Sequence, residues 1–204
     1  IDNVGSLVDA LSLDSFHLVV HDWGVAIGCG LAVRNPDRIR SLTLLNTAAF
    51  RFSRMPLRIA LCRIPLLGEI LIRQFNAFAG GATTMAVTKS MPFIIKRGFV
   101  RPYRNWADRI ATARFVQDIP MKPSHPSWDT LCDIEQKLPS LADKPMHLFW
   151  GMKDWCFCPP ILENWQKLFP NAKVRKFPDA EHYLLEDAGA EAMQAIGNFI
   201  EKAE

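Results

Sequence analysis

The chain reads as an α/β protein: a parallel sheet flanked by helices, with a helical lid insertion. Three observations lead there. Strand and helix patterns alternate at both ends of the 204 residues. Residues 48–137 between them carry helical periodicity and no obvious strand. The first strand, reaching VVHDWGVAIG at 19–28, ends abruptly in a turn that opens a glycine-rich helix. Alternation of this kind builds a parallel sheet covered by helices. It divides the chain into an α/β frame at 1–47 and 138–204, and a helical lid at 48–137.

The elements follow in order. Residues 3–12 set Val4, Leu7, Val8 and Leu11 on one helical face. Phe16 to Val20 is short and β-branched, and is expected to be buried on both faces, as parallel strands are. Residues 24–34 are helical and stop at Asn35-Pro36. RSLTLL (40–45) is the next strand. The insertion is punctuated by Gly80-Gly81, Pro92, Pro102 and Pro120. Its most apolar part, 55–79, is broken by Arg58, Arg63, Glu69 and Arg73, so it reads as buried helices and not as a membrane span. MHLFW (146–150), a helix near 161–169, AKVRKF (172–177) and a final helix over 188–202 restore the alternation.

With 49% hydrophobic residues the chain is long enough to bury a sizeable core. Its five cysteines (Cys29, Cys62, Cys132, Cys156, Cys158) are odd in number and show no ligand spacing beyond Cys156-Phe157-Cys158. Reduced thiols in a cytoplasmic protein are the expectation, with no disulfide framework and no zinc site. The net charge of +3 conceals an asymmetry. Residues 51–122 hold thirteen Lys/Arg and three acids, a net +10; the remainder holds eleven against eighteen, a net −7. The cations are interleaved with Leu, Ile and Phe at helical spacing and form no compact run, which argues against nucleic acid. A membrane surface, an anionic amphiphile or an acidic protein is the partner this pattern suits.

The chemistry centres on the turn after the first strand. A sharp strand-turn-helix junction exposes its central side chain, here Asp22, at the carboxyl edge of the sheet. Small residues must follow so that helix and strand can approach. Gly24, Ala26 and Gly28 meet that need, while Val20 occupies the upstream position. The helix N-terminus and the Trp23 N–H favour a negative charge there. Taken singly, Asp22 is equally a helix N-cap, Asp154 a turn residue and His182 a surface histidine. Trp150 and Trp155 read as core or pocket wall, and His21 as a structural neighbour. His17, His125 and His147 have no convincing partner.

Taken together, the motifs carry a resemblance. VVHDWG resembles the nucleophile turn of the haloalkane dehalogenases in the α/β-hydrolase superfamily, where aspartate replaces serine. GMKD (151–154) resembles their acid-bearing loop and DAEHYLLED (179–187) their histidine loop. The resemblance implies the C-terminal part of an α/β-hydrolase fold, with Asp22 as nucleophile, Asp154 as acid and His182 as base. Asn46 stands where one subgroup of dehalogenases carries its acid, so Asp154 is the better candidate. RFVQDIPM (114–121), HPSWDTL (125–131) and WGMKDWCF (150–157) point to the branch that includes the β-lactone decarboxylases of olefin biosynthesis.

The resemblance implies that Asp22 forms a covalent ester with a small apolar or lipid-like substrate. In a dehalogenase, His182 held by Asp154 then activates water. In a decarboxylase, a β-lactone loses carbon dioxide and leaves an alkene. Trp23 stabilises the leaving group through its indole N–H, and Arg97 is a candidate substrate contact. No cofactor or metal is implied. An epoxide hydrolase would need paired lid tyrosines, and of Tyr103 and Tyr183 only the first falls in the lid. A catalytically incomplete fragment acting as an interaction module is the reading from another class. The fold also implies an N-terminal half beside the strand at 16–20, which would supply the second oxyanion donor. Its absence here leads to the expectation that a further segment or a second chain covers that edge, and that the isolated chain aggregates and is nearly inactive.

Overall fold

The computed structural model describes residues 1–203. In chain order the elements are α1 (Asp2–Ala10), β1 (Phe16–His21), α2 (Trp23–Ala32), β2 (Ile39–Leu45), α3 (Leu57–Cys62) and the single turn α4 (Leu67–Glu69). A π-helical turn at Ile70–Gln74 leads to α5 (Ala79–Met85), α6 (Phe93–Val100), α7 (Ile110–Gln117) and α8 (Trp128–Lys137). β3 (Met146–Gly151), α9 (Pro159–Leu168), β4 (Lys173–Phe177), α10 (Leu184–Asp187) and α11 (Gly189–Glu201) complete the chain. They form two compact units, residues 1–51 with 129–204, and residues 52–128.

The first unit is built on four parallel strands in the order β1-β2-β3-β4. Register aligns Val20, Leu44, Leu148 and Val174 in one row and His21, Leu45, Phe149 and Arg175 in the next. Adjacent rows face opposite sides of the sheet. On one side, Leu45, Phe149 and Phe177 pack with Ala192, Ala195 and Ile196 of α11. On the other, α2 lies against β1 at Gly28, where a Cβ would sit 3.1 Å from Leu18 and 3.2 Å from Val20. Trp165 of α9 is wholly buried and donates its indole N–H to the Thr47 carbonyl at 2.9 Å. Every strand therefore ends, at its carboxyl end, on the same side of the unit.

The second unit is helical. Gly68 lets α4 turn back on α3, since a Cβ there would meet the Cys62 carbonyl oxygen at 2.0 Å. Arg63 reaches the Ile119 carbonyl, and Arg109 donates to the carbonyls of Arg73 and Gln74. Arg73 pairs with Glu69 and lies 4.2 Å over the Trp106 ring. Several of its cations thus hold the unit's own loops. Among the described residues no helix is long and apolar enough to cross a membrane.

Three expectations are corrected. β1 is not buried on both faces: it is the terminal strand, and Val19 is 42% exposed. The cause is positional, because the α11 cluster reaches β2, β3 and β4 but includes no residue of β1. The stretch 55–79, expected as buried helices, is helical in part but leaves Leu57, Leu66 and Phe75 at 74%, 79% and 70% exposure. On α1 the apolar face is open too. Val8 is buried and Gly5 approaches Leu31 of α2, but Val4, Leu7 and Leu11 are exposed.

Candidate active site

Asp22 sits between β1 and α2 with φ 50° and ψ −127°, a left-handed backbone that aspartate seldom adopts. Such strain concentrates where the surrounding structure overdetermines it. Here the Thr47 hydroxyl donates to the Asp22 carbonyl at 2.8 Å, and the Val25 N–H donates to the same oxygen at 3.0 Å. The Asp22 side chain makes no capping hydrogen bond to α2, which removes the N-cap reading. It is 42% exposed and free to meet a substrate. Of the small residues that follow, Gly28 is the one the helix-strand contact requires; at Gly24 a Cβ would find ordinary contact at 3.8 Å.

Asp154 enters from the loop after β3. It is buried and accepts four hydrogen bonds: from Asn46 Nδ2 at 2.8 Å, from the Cys156 and Phe157 N–H groups at 2.7 and 3.0 Å, and from His182 Nδ1 at 2.9 Å. Burial by itself would raise its pKa; the His182 bond and charge and the two backbone donors outweigh that and hold it below the usual carboxylate range. Loop and histidine loop are joined through the backbone, by Met152 N–H to Phe177 and Lys153 N–H to Ala180, both at 3.0 Å. Gly151 makes this possible. A Cβ there would lie 2.2 Å from the Glu181 carbonyl oxygen.

His182 bridges the two carboxylates. Its Nδ1 faces Asp154, and its Nε2 lies 3.7 Å from Asp22 Oδ2, an ion-pair contact too long for a hydrogen bond. Burial alone would lower its pKa, but Asp154 and Asp22 on either side push it up to about 10. The two carboxylates thus favour the protonated ring. His21 packs against the same ring, centroids 4.4 Å apart and planes tilted 40°. Burial, then the His182 charge, push His21 down to about 4, so this second imidazole is neutral. Its Nε2 is buried without a hydrogen-bond partner among the described residues.

Asp22, Asp154 and His182 thus come together from the ends of β1, β3 and β4. Trp23 is half-buried at the first position of α2, next to Asp22. Arg97 belongs to the other unit and is exposed on α6. Tyr183 lies 5.7 Å, ring to ring, from His182, whereas Tyr103 falls in the helical unit. Trp150 is wholly buried and bonds the Phe157 carbonyl at 2.8 Å, a structural role. Two histidines do have partners, against expectation: His17 bonds Ser41 at 2.7 Å, and His125 bonds the Gln117 carbonyl at 3.2 Å. All five cysteines are free, and among the described residues no cluster of His, Cys, Asp or Glu could hold a metal ion.

Asn46 is the residue whose part sequence reasoning missed. Fully buried, it donates to Asp154 and to the Gly151 carbonyl at 3.1 Å, and accepts the Gly151 N–H at 2.8 Å. The available signal was an asparagine at the carboxyl end of a strand beside the acid-bearing strand. Asp187, which accepts the Glu181 N–H at 2.8 Å and so braces the histidine loop, left no such signal.

Comparison with known proteins bears on the family and the fold. The family described as alpha/beta hydrolase fold matches residues 2–189. A cis-3-alkyl-4-alkyloxetan-2-one decarboxylase of Shewanella oneidensis is 41% identical over 209 residues, covering 100% of this chain and 66% of that protein. Haloalkane dehalogenase 2 of Mycobacterium tuberculosis is 30% identical over 207 residues, covering 95% of this chain and 67% of the dehalogenase. The solved structure of a putative ancestral haloalkane dehalogenase superposes with a TM-score of 0.89 at 22% identity, over 98% of this chain and 72% of that one. The chain spans about two thirds of the length of these curated relatives. It belongs to the α/β-hydrolase fold family.

Proposed function

We propose that this chain carries the reacting residues of an enzyme with an aspartate nucleophile, and that its substrate is a small lipid-like β-lactone. One observation carries the proposal: the His182 ring spans two carboxylates, 2.9 Å from buried Asp154 and 3.7 Å from exposed Asp22. The choice of β-lactone follows the 41% relative, a decarboxylase of alkyl oxetanones.

The chemistry balances without water. An Asp22 oxygen attacks the ring carbon that bears the lactone oxygen. That C–O bond breaks, an ester forms on Asp22, and a carboxylate is freed on the neighbouring carbon. The carbon-carboxylate bond then breaks; its electron pair forms the alkene and expels Asp22. Carbon dioxide leaves, and the nucleophile is restored. Inversion in the first step and anti loss in the second keep the two alkyl groups cis. His182, between its two carboxylates, offers a ring N–H to the freed carboxylate, and Trp23, the residue after Asp22, supplies its indole N–H as a second donor.

The second reading, haloalkane hydrolysis, is favoured by the 30% relative. It asks more of His182, which must lose its proton to activate water. Alkylation of Asp22 would assist, because it removes one of the two charges that hold that proton. The rest of the reading is a cytoplasmic setting, which five free thiols suit, and no nucleic-acid partner. The basic helical unit meets an anionic or lipid-like partner. A further segment or second chain covers the open edge of β1, since an exposed apolar edge templates aggregation.

The test is product analysis on the protein given a cis-dialkyl β-lactone or a haloalkane. Carbon dioxide and alkene in equal amounts support decarboxylation; alcohol and halide, with a substrate-sized adduct accumulating in His182→Phe, support hydrolysis. Turnover that survives Asp22→Asn overturns both.

A further inference from the structure

We propose that helix α6 is a bilayer-docking element, which lays Phe93 and Ile94 into the interface of an anionic lipid membrane and sets Arg97 and Arg101 at headgroup phosphates. The inference deepens the lipid-like partner named above and is independent of the chemistry at Asp22.

The helix FIIKRGFV carries Phe93, Ile94, Ile95, Phe99 and Val100 within eight residues, yet none of its residues is buried. Most helical stability comes from burying an apolar face; α6 rests on α5, yet its Phe93-Ile94 end is left uncovered. Phe93 is 78% exposed and Ile94 68%. Phe93, Ile94, Arg97, Gly98 and Arg101 share one side of the helix, at i, i+1, i+4, i+5 and i+8. This side is apolar at its N-terminal end and cationic beyond it. A Cβ at Gly98 would meet nothing within 4 Å, so the side is also open. Where α6 ends, Gly98, Arg101, Pro102, Arg104 and Asp108 line a shallow cleft of about 460 Å³, room for a phosphate headgroup.

The charges divide the basic residues into two sets. Arg63, Arg73 and Arg109 are spent on carbonyls and on Glu69 within the unit. Lys96, Arg97 and Arg101 make no ion pair and no side-chain hydrogen bond among the described residues. Local acids do not cancel them either: Glu69 pairs with Arg73, Asp108 faces Arg104, and the Asp118 charge acts on Arg63. An acidic protein could take up the cations, and an apolar groove the Phe93-Ile94 pair. An anionic bilayer accepts both at one surface, which is the recognised pattern of interfacial helices.

The experiment is co-sedimentation of the protein with vesicles of phosphatidylglycerol and phosphatidylcholine, and with phosphatidylcholine alone. Binding to the anionic vesicles at 0.1 M salt is expected, with loss at 1 M as the Debye length falls from about 10 to about 3 Å. Each cation near the surface contributes about fivefold, so Arg97→Ala with Arg101→Ala should weaken binding about 25-fold. Phe93→Ser with Ile94→Ser should weaken it at 0.1 M salt with both arginines in place. Circular dichroism melts of the variants, expected to be unchanged, exclude unfolding. Asp22→Asn should bind as well as the parent, which separates this inference from the proposed chemistry. Equal binding to neutral vesicles, no binding at all, or full binding by the folded variants would overturn it, as would capture by an acidic protein in place of lipid.

Discussion

Gly151→Ala tests whether the acid loop and the histidine loop are positioned by direct backbone contact. The added methyl carbon would lie 2.2 Å from the Glu181 carbonyl oxygen and 2.8 Å from that of Ala180, where ordinary contact begins near 3.4 Å. The chain must open by about 1.2 Å, and both neighbours are main-chain atoms that no rotamer change can move. Overpacking of this kind costs roughly 1–3 kcal/mol of stability. The functional loss should be larger in effect, because the displaced segment carries His182, and a misplacement of about 1 Å costs on the order of a hundredfold in rate. Denaturant unfolding and single-turnover kinetics measure the two quantities. Proton NMR adds a direct readout, the downfield Nδ1–H of His182 bonded to Asp154 at 2.9 Å, which should shift upfield or vanish. Gly189→Ala is the control, since a Cβ there meets nothing within 4 Å. If Gly151→Ala matched the parent in stability, rate and spectrum, the two loops would not be coupled as described.

Asn46→Ala removes a bond to a buried carboxylate and strands the Gly151 N–H, and should cost about 3–5 kcal/mol in urea unfolding. Asn46→Gly should be about 1 kcal/mol milder because the backbone there has φ 29°; equal values would mean no strain at that residue. His182 also makes stability pH-dependent. Its folded pKa, about 10, lies above the ordinary 6.5, so its contribution is complete below about 6.5 and is lost as pH rises through about 10. Asp154, held low, acts in the opposite sense: its contribution is present above about 3.8 and is lost as pH falls below that. Thermal melts from pH 6 to 10 should show the parent losing a few kcal/mol relative to His182→Gln. Parallel curves would show that His182 is not protonated between its two carboxylates.

The local patterns were legible because they are written within a turn or two of chain. Alternating strands and helices and the strand-turn-helix at Val20 to Gly24 needed no tertiary contact to be read, whereas GMKD and DAEHYLLED stood out only through their resemblance to the dehalogenase loops. Boundaries moved by a residue or two at α2 and α11, as fraying ends do. Burial was read less well. The apolar stripe of α1 and the β-branched run of β1 signal a core, yet both lie at the margin of the sheet, where exposure depends on what stands beside them and not on their own composition.

The sequence by itself determined the α/β class, the parallel strands and the candidate residues Asp22, Asp154 and His182. Only the tertiary structure decided how they are held. Asn46 lies 108 residues from the Asp154 it bonds, and Gly151 thirty residues from the Glu181 carbonyl it must admit. The contact of His21 with His182 is longer-ranged still. Such contacts leave no periodic trace, because they exist only once β1, β2, β3 and β4 are paired in register and their carboxyl ends are brought side by side.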